Sequence, residues 1–120
     1  MNDNTSLHIS NKTHEMRLSV LPFSQIARGE KVYEVRLLDE KRRALSVGDE
    51  ILFRERGTDA SLRARIRALL PFSSFRDAFA ALPLPKLGFP EGADPALMYA
   101  YYTPKEEAKW GVLVIEISLL

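Results

Sequence analysis

The chain has 120 residues, no cysteine and a net charge of +1; that length suits one compact domain, and the missing cysteine excludes disulfides, thiolate nucleophiles and cysteine-rich metal sites. With 46% apolar and 28% charged residues the composition is that of a soluble globular protein, and so small a net charge means that any basic footprint must be local. Residues 1–12 are polar and lack the basic start and apolar run of a signal peptide, and no apolar stretch is long enough to span a bilayer, so the expectation is a cytoplasmic domain over residues 14–120 behind a disordered tail over 1–13.

Residues 15–21 alternate Met16, Leu18 and Val20 against Arg17 and Ser19, the pattern of a half-buried strand. Pro22 fits a first helical position, Phe23, Ile26 and Ala27 share a helical face, and Gly29 stands where a left-handed cap would end that short helix. A second strand is expected over residues 31–38, with Tyr33, Val35 and Leu37 turned to the barrel interior. Asp39-Glu40-Lys41-Arg42-Arg43 reads as a loop or a single helical turn. Val47-Gly48-Asp49 is a tight turn into a strand carrying Ile51 and Phe53 inward. Leu62, Ala64, Ile66 and Ala68 alternate with Arg63, Arg65 and Arg67; the pattern admits a helix, but a strand fits it better.

Ser73 or Ser74 can cap a helix reaching Leu82, with Phe75, Ala78, Phe79 and Leu82 as its apolar side. Pro83, Pro85, Gly88 and Pro90 make an irregular connection. Asp94-Pro95 opens a helix through about Tyr102, and Thr103-Pro104-Lys105-Glu106 is a capping box that starts another. Gly111 ends that helix, and residues 112–119 form a closing strand. Short helices between four or five strands leave no room for repeated βαβ units, so the fold class is α+β, a small mixed barrel with peripheral helices.

The chemistry concentrates in Gly29-Glu30-Lys31-Val32-Tyr33-Glu34-Val35-Arg36. In a regular strand Glu34 and Arg36 point to one face, roughly 7 Å apart. Lys31 joins them only if it precedes the strand or a bulge re-aims it. Converging, the three would make a polar cleft in which Glu34 holds two cations that meet an anionic or carbonyl-bearing ligand. Diverging, they are an exposed ion pair that contributes little.

Gly29-x-Lys31-x-x-Glu34-x-Arg36 resembles the G-x-K-x-x-E-x-R signature of ASCH domains, members of the PUA-like superfamily, and the flanking elements follow that family's order from about residue 15 to residue 119. The resemblance implies a PUA-like mixed β-barrel beside a cleft that binds RNA or a nucleotide-like ligand, lined by Lys31, Glu34 and Arg36. Some relatives are enzymes: certain bacterial members hydrolyse N4-acetylcytidine and at least one cleaves RNA. In the amidohydrolases a lysine matching Lys31 assists a threonine nucleophile three positions on, where this chain has Glu34, so the hydroxyl of that covalent mechanism is missing. A small hydrolase acting on RNA or a modified nucleoside is therefore the second reading, with Lys31 as base or charge stabiliser and Glu34 as proton shuttle.

Lys41, Arg42 and Arg43 would add phosphate contacts, against the alternative of a solvated turn balanced by Asp39 and Glu40. Arg63, Arg65 and Arg67 read equally as a phosphate track or as the charged face of an edge strand. Tyr99, Tyr101, Tyr102 and Trp110 are either stacking platforms for bases or core. His8 and His14 have no metal-ligand spacing, and neither a metal nor a cofactor is expected. A third option, a protein-docking segment over residues 82–90, depends on that apolar stretch being exposed.

Overall fold

The computed structural model describes residues 11–120; the tail expected over 1–13, up to residue 10, and His8 with it, lies outside the described residues. Strand β1 (Thr13–Leu18) leads into helix α1 (Val20–Ala27), strand β2 (Tyr33–Leu37) and the single helical turn α2 (Glu40–Arg43). Strands β3 (Glu50–Glu55) and β4 (Ser61–Phe72) follow, then helix α3 (Phe75–Ala81). Two 3-10 turns, Leu84–Leu87 and Pro95–Ala100, helix α4 (Pro104–Trp110) and strand β5 (Val112–Leu119) complete the chain. The element order is the expected one, with β1 starting at Thr13 rather than at Glu15 and α1 starting at Val20, two residues before Pro22.

The five strands form one mixed sheet in the order β1-β3-β4-β5-β2. Only β1 and β3 run parallel; the other pairs are antiparallel. The result is an α+β half-barrel whose edge strands are β1 and β2. Residues 62–68 are strand, as their alternation favours, and a register shift between Ile66 and Ala68 leaves Arg67 unpaired. That irregularity breaks the alternation the sequence displays and bends the longest strand.

Two apolar clusters lie on the two faces of the sheet. Met16, Leu18, Ile51, Phe53, Ala64, Ile66, Leu113, Ile115 and Ile117 fill the concave side with Phe23 and Ile26 of α1. Val35, Leu37, Val112 and Val114 meet Phe75, Ala78, Phe79, Leu87 and Met98 on the other. Strand β5 is therefore buried on both faces, which explains its continuous apolar run. Directly opposed residues of an antiparallel pair share a face, and Glu34 and Arg36 oppose Ile115 and Leu113. The charged pair thus faces the barrel interior, while Val35 and Leu37 turn outward under the helices. This inverts the expected orientation, because the second apolar layer, formed by α3 and the 3-10 turns, is invisible in the local pattern of β2.

Residues 82–90 belong to that second layer. Leu87 is buried, and Leu82, Leu84 and Phe89 are packed against the cluster, so the segment offers no exposed apolar docking face. The edge-strand reading of the Arg63, Arg65, Arg67 stripe is also corrected. Strand β4 sits between β3 and β5, not at an edge, and Arg63 and Arg65 are both drawn to Glu50, at 3.0 and 3.6 Å.

The entry to β1 is fixed by one buried carboxylate. Asp49 accepts from the Lys12 and Ser46 amides, each at 3.1 Å, and pairs with His14 Nε2 at 2.8 Å. Burial pushes its carboxyl up, but these hydrogen bonds outweigh that and hold it below the ordinary aspartate range. Asp49→Ala strands two amides and a ring nitrogen, and is expected to lower the free energy of urea unfolding by about 1–3 kcal/mol. A change within about 0.5 kcal/mol, the scale of a neutral surface substitution, would contradict that role.

Candidate functional site

The motif glycine does a conformational job. Gly29 has φ +75°, a region that side chains other than glycine avoid, and its amide bonds Ile26 O at 2.9 Å while the Glu30 amide returns to Gln25 O at 3.0 Å. This is a Schellman ending. It reverses the chain so that Lys31 and Val32 enter β2 from beneath α1.

Lys31 consequently precedes the strand and reaches Glu34 by arriving from outside its alternation. Its Nζ lies 2.8 Å from Tyr33 O, 2.7 Å from Leu87 O and 3.2 Å from Glu34 Oε1. An ammonium has three protons, and all three have an acceptor. The second oxygen of Glu34 takes Arg36 Nε at 2.6 Å. Lys31, Glu34 and Arg36 thus converge; Lys31 and Glu34 are 5% and 6% exposed, which excludes the exposed-pair alternative.

Burial by itself raises the Glu34 carboxyl, but the Lys31 and Arg36 charges and their hydrogen bonds reverse the sign and hold it below its ordinary value. For Arg36 burial works against the charged form, and the Glu34 carboxylate beside it keeps the guanidinium firmly protonated. Arg36 Nη2 then crosses to Arg17 O of β1 at 2.9 Å. Lys41 Nζ does the same at Glu15 O, 2.8 Å away. The half-barrel's two edges are therefore bridged by side chains, not by a backbone ladder, and the ion cluster stands in the opening between them.

A cleft of about 620 Å³ opens there, lined by Arg17, Lys31, Glu34, Arg36, Arg42 and Arg56 on its polar side. Leu21, Leu87, Phe89, Met98, Tyr101 and Tyr102 form its apolar side. The basic trio after β2 is split by the structure. Arg42 lines the cleft, with Nη1 3.2 Å from Asp39 Oδ2 and a buried Nε that has no partner among the described residues. Lys41 is spent on the β1 edge and Arg43 turns its Nε to Leu38 O at 3.2 Å; neither lines the cleft. The cause is α2: in a single helical turn consecutive side chains point in different directions, and Asp39 caps that turn by accepting from the Arg42 amide.

Two of the four candidate aromatics also reach the cleft. Tyr102 stacks on Phe75 at 5.7 Å and is held with its phenol near Arg36, where burial raises its pKa. Tyr101 next to it is 72% exposed. Tyr99 belongs to the outer layer instead, edge-on to Phe75 and donating its hydroxyl to Glu107. Sequence reasoning missed Arg17, Arg56, Gln25 and Gly88. A Cβ on Gly88 would sit 2.7 Å from Gln25 Oε1 and 3.1 Å from Lys31 Cδ, so the glycine lets the lysine stem pass. The one available signal was the outward parity of Arg17 on β1.

Among the described residues no group of acidic and histidine side chains is arranged to hold a metal, and no helix is long and apolar enough to cross a membrane.

The family model described as the ASCH domain matches residues 16–120. Among solved structures, the chain resembles the hypothetical protein PH0355, with 28% identity, a TM-score of 0.77, and 90% of this chain and 99% of that one covered. It also resembles protein PF0455 from Pyrococcus furiosus, at 28% identity and a TM-score of 0.64, over 90% of this chain and 97% of the other. No curated protein matches significantly. These likenesses agree with the PUA-like, α+β half-barrel described above.

Removing the Glu34 carboxylate leaves two buried cations facing each other. Glu34→Ala is expected to destabilise the fold by about 3–5 kcal/mol in urea unfolding. Because the folded value of Glu34 lies below the ordinary 4.5, its contribution is complete above pH 4.5 and is lost as pH falls through the folded value. The difference in stability between wild type and Glu34→Ala should accordingly shrink on acidification; a difference independent of pH would refute the ion-cluster account.

Proposed function

Since the chain belongs to the ASCH-domain family, and the matched region contains every residue that lines the cleft, we propose that it binds RNA, or a nucleotide-like ligand, in that cleft. The observation that carries this reading is a division of labour among the cations. Lys31 is saturated by protein acceptors. Arg36 is clamped at Nε and Nη2, which leaves Nη1 without a partner among the described residues. Arg42 lines the same cleft, with its Nη1 on Asp39. A guanidinium fixed on one edge presents the other in a set direction, the geometry that suits phosphate oxygens or a base edge. Tyr101 and Tyr102 line the same cleft, and the exposed Tyr101 ring can offer a π-face to an unpaired base.

The same geometry weighs against the hydrolase reading. A general base needs a lone pair, and the Lys31 ammonium is engaged as a donor at three acceptors. A proton shuttle works best with a pKa near the operating pH, whereas Glu34 is held low by its two cations. Lys31 and Glu34 therefore position Arg36, and binding follows from Arg36 and Arg42.

Fluorescence anisotropy with labelled single-stranded RNA tests this reading. Wild type should bind with an affinity that falls as salt rises. Arg42→Gln should weaken it about tenfold, the cost of about one charge-assisted hydrogen bond. It should also flatten the plot of log affinity against log salt by about 0.7. Absence of binding, or binding indifferent to both salt and Arg42→Gln, would overturn the proposal, and turnover of the RNA or of acetylated cytidine that Lys31→Ala abolishes would favour the hydrolase.

A further inference from the structure

The cleft is not closed on the side of β1. Arg17 and Arg56 line it, and both also line a second depression formed by Arg54, Glu55, Gly57, Thr58, Asp59 and Ala60 at the β3–β4 hairpin. The two hollows therefore adjoin, and the two arginines form the sill between them. Both residues are exposed, and neither side chain has an ion pair or hydrogen bond among the described residues. Their neighbours differ: Arg54 is paired with Glu15 at 3.1 Å and Arg63 with Glu50 at 3.0 Å. In a chain with a net charge of +1, two guanidiniums without an ion pair among the described residues at the edge of a cleft are a local feature that the bulk charge does not supply.

Their positions are set by backbone. Arg17 lies on β1 in register with Arg54 of β3, and its carbonyl receives the guanidinium of Arg36. The Arg56 amide bonds Leu18 O at 2.8 Å, which pins the hairpin base to the end of β1. Cleft and sill thus share one rigid frame. The second depression also holds two carboxylates, Glu55, whose Oε1 accepts from the Thr58 hydroxyl at 2.8 Å, and Asp59.

Size and lining then decide what crosses the sill. About 620 Å³ falls within the range of a small-molecule site, room for a single nucleotide and not for a stacked run. Leu21, 62% exposed, and Tyr101, 72% exposed, give the mouth apolar lips that suit a base lifted out of a stack. We propose that the ligand is a single-stranded oligonucleotide, with one splayed nucleotide in the cleft and the adjoining phosphates carried over Arg17 and Arg56 towards the β3–β4 hairpin. This rests on the binding reading above and adds to it the class of ligand and the direction in which the strand leaves.

The test compares adenosine monophosphate, tetra-adenylate and a blunt RNA duplex by calorimetry, with wild type and the double variant Arg17→Gln/Arg56→Gln. Wild type should bind tetra-adenylate about tenfold or more tightly than the monophosphate, a difference of at least about 1.4 kcal/mol. The duplex should bind more weakly than the tetranucleotide. The double variant should lose most of the length dependence and reduce the salt slope for tetra-adenylate by about 1.4, two phosphate contacts on a single strand. Equal affinity for monophosphate and tetranucleotide in wild type, full length dependence in the double variant, or a duplex that binds as well as the single strand would each overturn the inference while leaving the cleft reading intact. If neither nucleotide ligand binds wild type at all, the cleft reading itself fails and the inference with it. Both substituted side chains are exposed, so an unchanged thermal unfolding curve verifies that the variant remains folded.

Discussion

The carboxylate of Glu34, placed between Lys31 and Arg36, is the constraint on which the site depends. Taking three charges out of water costs several kcal/mol each, and here the cost is offset because each group is also hydrogen-bonded to backbone or to a partner. Lys31 takes two carbonyls besides the carboxylate, and Arg36 takes the carbonyl of Arg17. The cluster is an alternative to the missing ladder between β1 and β2. An open half-barrel leaves unpaired backbone groups along both edges; Arg36 and Lys41 satisfy carbonyls of β1 from the opposite side of the gap. The seam is consequently held together by polar contacts, with the cleft opening beside it. A barrel closed by a sixth strand would have no cleft at this place.

The second apolar layer makes that arrangement possible. Strand β2 is an edge strand paired only with β5, and a charged interior face would ordinarily weaken its attachment. Val35 and Leu37 compensate by packing on the outer face against Phe75, Leu87 and Met98. The same layer delivers the Leu87 carbonyl to Lys31 and the Tyr102 ring to the cleft wall. Packing on one face of β2 thus determines the electrostatics of the other, and a loss of outer-layer packing would act at a distance on the cation geometry.

Much of this was legible in the sequence because it rests on local rules. Gly29 behind a short apolar helix, Asp94-Pro95, the Thr103–Glu106 capping box and the double-sided apolar run of residues 112–119 each carry a signal within a few residues of the feature they produce. The convergence of Lys31 with Glu34 was conditional on irregular entry to the strand, and the Schellman ending supplies that entry. What escaped depends on partners distant in sequence. Nothing near β2 announces that residues 82–90 and 95–100 will cover its apolar face, so its inside and outside were interchanged. The trio Lys41, Arg42 and Arg43 looks uniform as a string, yet the helical turn capped by Asp39 sends its members to different places. Arg56 joins the site through a hairpin contact with Leu18, a pairing without any local trace.

The motif itself can now be divided by physical role. Gly29 reverses the chain, Lys31 ties β2 to the 3-10 turn Leu84–Leu87, and Glu34 orders Lys31 and Arg36. Of its four fixed positions, Arg36 lines the cleft with one guanidinium nitrogen, Nη1, that has no partner among the described residues. Other cations and aromatics that line the cleft lie outside the motif, at Arg17, Arg42, Arg56, Tyr101 and Tyr102. A signature of this kind specifies a frame: it places one guanidinium at the mouth of a half-barrel and leaves the walls to be chosen independently. Two proteins sharing Gly29-x-Lys31-x-x-Glu34-x-Arg36 in kind can thus agree in architecture while differing in the residues that line the cleft. For this chain arginines and tyrosines line the same cleft, and the nucleotide reading proposed above rests on that pairing.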